Sequence, residues 1–178
     1  MELDQIKQKA NKLNEDLRKI GQRRLFWKQK TRELIFDTFT KVNIEANLNC
    51  YIQKIDEIKN QEFVNIHFKK RDSGIVSNEI DDKQKKSRTY FIEGGYLTYS
   101  QGANGKVYVV ISYPHIRDFG GKINNLPLGF FEPNEINEEL IFKHIDLFLD
   151  EMIKWQNNHL NGSVFSQHPS GDSLLDNH

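Results

Sequence analysis

The chain has 178 residues, a formal net charge of zero and one cysteine. That length suits one domain with a real core, and the charge balance excludes a global pull toward nucleic acid or membrane. A lone Cys50 excludes an internal disulfide, and no apolar run reaches the length that spans a bilayer.

Residues 1–45 are net basic and residues 132–178 net acidic. This asymmetry fits either two solvated helices or ends that pair, within a chain or between chains. The opening is acidic with no apolar run behind it, unlike a secretory leader, so a cytoplasmic protein is expected.

Residues 3–20 read as a helix. Leu3, Ile6, Ala10, Leu13, Leu17 and Ile20 step by three and four, the seam of a coiled coil. The stripe can lie on the chain's own sheet or meet another helix. The three-four spacing favours a helix, so self-association through Leu3, Ile6, Leu13, Leu17 and Ile20 is expected. Gly21 is expected to bend or interrupt this helix, leaving residues 1–21 as an extension.

A second helix is predicted over residues 22–41. It opens on the most basic stretch of the chain, with Arg23, Arg24, Lys28, Lys30 and Arg32 around Phe26 and Trp27. Two strands follow, over residues 48–58 and 62–69, both with alternating character. Cys50 lies in the first and is expected to be a small buried residue. Residues 70–87 are polar, charged and aperiodic, and read as a mobile loop.

The hairpin over residues 88–113 organises the fold. Asn104-Gly105 supplies the positive φ that tight turns need. Val107, Val109 and Ile111 lie on one face of its second strand, and Tyr108, Val110 and Ser112 on the other. Two largely apolar faces mark a central strand. Gly94-Gly95 suggests a bulge or close backbone approach. Residues 114–133 read as an ordered irregular segment. The last helix is expected after Pro133, capped by Asn134 or Asn137. Its stripe is Ile141, Ile145, Phe148, Met152 and Trp155, widened by Leu149 and Ile153. Residues 159–178 read as a disordered tail.

These elements imply an α+β fold. A four-stranded antiparallel sheet would carry helices on one face and an N-terminal helical extension. Residues 22–158 would form the domain.

Little catalytic chemistry is legible. The six histidines are scattered, with no pair at i, i+4 and no Cys-x-x-Cys, so no metal or cofactor is expected. No Gly-x-Ser-x-Gly elbow occurs. Asp118-Phe119-Gly120 lacks every other kinase signature, and Gly120, Gly121 and Lys122 lack the Walker spacing. The basic segments remain as a nucleic-acid alternative: Arg23, Arg24, Lys28 and Arg32, with Lys69, Lys70, Arg71, Lys85 and Lys86 around the 70–87 loop. The leading expectation is a non-enzymatic adaptor, assembly or chaperone-like module, oligomeric or bound to a protein partner. A third is an enzyme whose site is assembled from distant residues.

The string Tyr99-Ser-Gln-Gly-Ala-Asn-Gly-Lys-Val-Tyr-Val-Val-Ile-Ser-Tyr-Pro114 resembles a hairpin of an uncharacterised bacterial protein family. The resemblance covers residues 95–155. It implies a hairpin, an irregular segment and a C-terminal helix. It implies no activity, and it carries over no functional residue.

Overall fold

The computed structural model describes residues 2–81, 84–116 and 123–160. Helix α1 (Glu2–Phe26) runs into one π-helical turn, Trp27–Thr31, and on into α2 (Arg32–Glu45). α1 runs through Gly21 without interruption, where the sequence suggested a bend or a break. One glycine weakens a helix by about 1 kcal/mol, too little to stop one flanked by good helix formers. The irregularity comes six residues later, where Trp27 and Thr31 turn into the core. After α2, Asn47 and Asn49 take positive φ. The Asn43 side chain then bridges the Cys50 N–H (2.9 Å) and carbonyl (3.1 Å). These contacts start the first strand.

Among the described residues eight strands follow: β1 (Cys50–Ile55), β2 (Phe63–Phe68), β3 (Arg71–Asp81), β4 (Gln84–Glu93), β5 (Tyr96–Gln101), β6 (Val107–Ser112), β7 (His115–Ile116) and β8 (Asn125–Phe131). They form two antiparallel sheets, ordered β1-β2-β5-β6-β8 and β3-β4-β7. The α+β class stands, but the expected four-stranded sheet has five strands and a three-stranded companion. Two segments read as irregular supply the difference. The supposed loop at 70–87 is the β3–β4 hairpin, and the segment at 114–133 contains β7 and β8. Within β4 lies the backbone of Lys85 and Lys86, whose side chains are outside the described residues. Gly120, Gly121 and Lys122 also lie outside the described residues.

The topology explains the second sheet. β2 pairs with β5, and β6 with β8, yet extra chain is inserted between the members of each pair. Both insertions leave from the same end of the main sheet, and they meet where β4 pairs with β7. Gly94 and Gly95 return the chain from β4 to β5 with φ of 97° and 76°. A Cβ on Gly95 would lie 3.1 Å from Met152 Sδ and 3.2 Å from Phe68, the close approach expected there. The bulge of β8 opposite Val109 and Val110 accommodates Pro127 in an edge strand, where a missing N–H costs no pairing.

Helix α3 (Glu138–Leu160) starts at Glu138, with Asn137 as its cap: the Asn137 side-chain oxygen accepts the Leu140 N–H at 2.9 Å. Asn134 lies in the preceding turn. The expected tail at 159–178 falls, beyond Leu160, outside the described residues.

The core lies between one sheet face and α2 with α3. Val64, Ile66, Leu97, Tyr99, Val107, Val109 and Ile111 face Trp27, Ile35, Phe39, Ile141, Ile145 and Phe148. β6 is the central strand that its two faces implied, since β5 and β8 flank it. On the opposite face the register aligns three rows, which run from β1 to β8. One reads Tyr51, His67, Tyr96, Ser112, Asn125. The next reads Gln53, Asn65, Thr98, Val110, Pro127. The last reads Ile55, Phe63, Ser100, Tyr108, Phe130. None of these positions carries Asp, Glu, Lys or Arg.

Candidate functional site

Helix α1 is about 37 Å long at the usual rise, and every residue from 3 to 19 is exposed. Leu3, Ile6, Leu13 and Leu17 keep 56–63% of their surface in solvent. Ile20 is the first seam residue to be partly covered. The stripe therefore leaves the domain without a cover from its own chain among the described residues. The stripe is an apolar line on an otherwise polar helix face.

The root of α1 is held firmly, as its direction requires. Arg23 grips Glu132 with two bonds of 2.6 Å, Nε to Oε2 and Nη2 to Oε1, and Lys106 adds its charge at 3.4 Å. The Arg23 hydrogen bond holds the Glu132 carboxyl below the usual carboxylate range, against the smaller opposing effect of burial. Arg24 Nη2 donates to the Ala103 carbonyl at 2.8 Å. The helix passes so close to the β5–β6 turn that a Cβ on Gly105 would meet Arg23 Cβ at 2.8 Å and the Ile20 carbonyl at 3.0 Å. Only glycine, here at φ 76°, fits both the turn and the helix.

Below this lies Glu62, 3% exposed. Its carboxylate accepts the Trp27 indole N–H at 2.9 Å and faces Lys28 at 3.2 Å and Arg32 at 3.5 Å. The basic stretch of the sequence thus anchors the projecting helix. Arg23, Lys28 and Arg32 face carboxylates and Arg24 a carbonyl.

The other basic group lies at the far end of the sheet. Lys69 donates to Asn49 Oδ1, Lys70 pairs with Glu93 at 2.8 Å, and Arg71 Nη1 donates to Gln156 Oε1 at 3.3 Å. The structure does not bring these residues to the 23–32 segment, which lies at the opposite sheet end. They border a cleft of about 500 Å³ beside α3, which no periodicity in the sequence signals.

Two reactive groups are buried in the core. The Cys50 thiol is pushed up to about 11 by burial, with a small opposing pull from Lys69, so it stays an inert thiol at neutral pH. Tyr99 Oη lies 2.6 Å from His144 Nδ1. Burial pushes the tyrosine up and the histidine down. Tyr99 is fully buried and His144 nearly so, so the pair satisfies polar atoms inside the core. Among the described residues no group of three or more His, Cys, Asp or Glu side chains gathers to hold a metal ion, and no helix is long and apolar enough to cross a membrane.

No protein-family model, curated protein or solved structure matches this chain.

Proposed function

We propose that the protein is a non-enzymatic assembly or adaptor module that self-associates through residues 3–20 of α1. The observation that carries this reading is the exposed, in-register stripe of Leu3, Ile6, Leu13 and Leu17 on a helix rigidly rooted in the domain. Burying such a side chain is worth about 1.5–3 kcal/mol when complete, and these four start a little over half exposed. One helix pair recovers little beyond the roughly 4–15 kcal/mol cost of association. A bundle of more than two helices covers more of each stripe.

The seam chemistry agrees. The steps put Leu3, Ala10 and Leu17 at the first core position of each heptad and Ile6, Leu13 and Ile20 at the second. Leucine at the first position with isoleucine at the second, as in the outer two of these three heptads, shifts preference from two strands toward three or four. Orientation follows from Lys9, which flanks the first core position. An antiparallel pairing sets Lys9 against its own copy, whereas a parallel one sets it against Asn14. A parallel bundle gathers the domains, each with its uncharged sheet face, at one end. Tyr51 and Phe130 on that face are more than half exposed, and its Tyr, Phe, Asn, Ser and Thr content suits protein contact.

The nucleic-acid alternative has less support, because Arg23, Arg24, Lys28 and Arg32 already face carboxylates or a carbonyl of the chain itself.

Light scattering on the eluting full-length protein tests the proposal. A mass of about three or four times 21.0 kDa is expected at micromolar concentration. Leu13→Asp with Leu17→Asp should give a folded monomer of unchanged thermal stability, since both side chains are exposed in the protomer. A wild-type monomer across this range refutes the reading, and so does a double mutant that unfolds.

A further inference from the structure

The cleft beside α3 has a composition that selects a ligand. Its floor and walls are apolar: Phe68, Ile92, Leu149, Met152 and Trp155 contribute side chains. Gly94 opens one wall, and Ile153 at the rim is 59% exposed. Three consecutive cations, Lys69, Lys70 and Arg71, border it, and no Asp or Glu lines it. Glu93 neutralises Lys70 from outside the lining. Lys69 and Arg71 meet only the neutral amides of Asn49 and Gln156, apart from the Tyr51 ring under Lys69. The volume, about 500 Å³, is that of a small-molecule site.

We propose that this cleft binds a single-headed amphiphilic anion, an apolar chain or ring that ends in a carboxylate or phosphate. The apolar body would lie along Met152, Leu149 and Phe68 and cover the rim at Ile153. The head would take the guanidinium of Arg71, whose fork matches either oxyanion. Its bond to Gln156 is a 3.3 Å contact with a neutral amide, so exchanging it for a charge-assisted bond is favourable. Lys69 adds a second positive charge. An uncharged apolar ligand would bring neither cation an anionic partner. A small inorganic anion would leave the apolar floor wet. Only a molecule with both parts satisfies the site.

The test uses the full-length, nitrogen-15-labelled protein and its two indole N–H signals, those of Trp27 and Trp155. Trp27 is fully buried and bonded to Glu62, so it is the internal control. Decanoate and decyl phosphate are titrated below their micellar limits, with decanol and acetate alongside. At least one of the two amphiphilic anions should shift the Trp155 signal saturably and leave Trp27 in place, and the stronger of them identifies the head. Decanol and acetate should bind about tenfold more weakly or worse, the value of one charge-assisted bond. Arg71→Gln, at an exposed position, should weaken the anion about tenfold. Ile153→Glu should abolish binding by setting a carboxylate at the rim. The proposal is overturned if neither anion moves Trp155, if decanol binds as tightly as the anions, or if Arg71→Gln binds unchanged.

Discussion

Glu62→Met tests the root of the projecting helix. The carboxylate is 3% exposed and serves three donors. Replacement by methionine keeps the volume and removes both oxygens. Trp27, with no exposed surface, then has an indole N–H without its acceptor, at a cost of about 1–3 kcal/mol. Arg32, 17% exposed in its side chain, loses its 3.5 Å contact with Glu62 and keeps Glu33 at 3.5 Å and Asp56 at 3.8 Å. Lys28 is 40% exposed and rehydrates, so its share is at most about 1 kcal/mol after solvent screening. The usual cost of removing one partner from a buried charge pair is roughly 3–5 kcal/mol, and the indole and Lys28 account for up to about 4 kcal/mol of that. Glu62→Gln keeps an acceptor for the indole and loses only the charge, so about 1–2 kcal/mol is expected. Urea denaturation followed by Trp fluorescence and circular dichroism measures both variants. For a chain of this size the methionine variant should melt about 6–20 °C below wild type. A methionine variant as stable as wild type would refute the argument, because the network would then be no net support for the helix root. The same result would follow if Gln and Met cost equal amounts, since the indole bond would then carry no weight.

Two further outcomes follow from the core. Ile111→Ala should cost about 2–5 kcal/mol, because the side chain is fully buried on the central strand; an unchanged melting temperature would mean that the strand is not central. His144 has its pKa lowered by burial, so the unfolded chain binds its proton more readily. Stability from this group is therefore complete above the ordinary histidine pKa of about 6.5 and is lost as pH falls from there toward the lowered folded value. Melting temperatures recorded from about pH 7 to pH 5 should fall more steeply for wild type than for His144→Gln. Equal slopes would show that burial does not favour the neutral ring.

Several features were legible because their cause is local. The α3 stripe and its Asn137 cap depend on residues three and four apart. The β5–β6 turn depends on Asn104-Gly105, where Gly105 takes the positive φ and the Asn104 side chain accepts the Lys106 N–H at 3.0 Å. β6 declared its central place through apolar residues on both faces. The β3–β4 hairpin did not, because it packs no broad face against the core and so needs no apolar period. Its strands are held by backbone pairing in register, which polar residues allow as well as apolar ones. β8 was hidden by Pro127, which an edge strand tolerates and a central strand would not.

The proposed surfaces divide in the same way. The period of Leu3, Ile6, Leu13 and Leu17 is written in the sequence, because a helix face repeats at fixed spacing. Whether that face meets the chain's own sheet depends on where α1 points. Its direction is set by Arg23 with Glu132, 109 residues apart, and by Trp27 with Glu62, 35 apart. The cleft likewise joins the end of β2, the start of β3 and the last turns of α3. Spacing along the chain carries short-range geometry alone. Contacts this remote arise only when the sheet assembles, which gathers the anchoring charges at one end and the apolar walls of the cleft at the other.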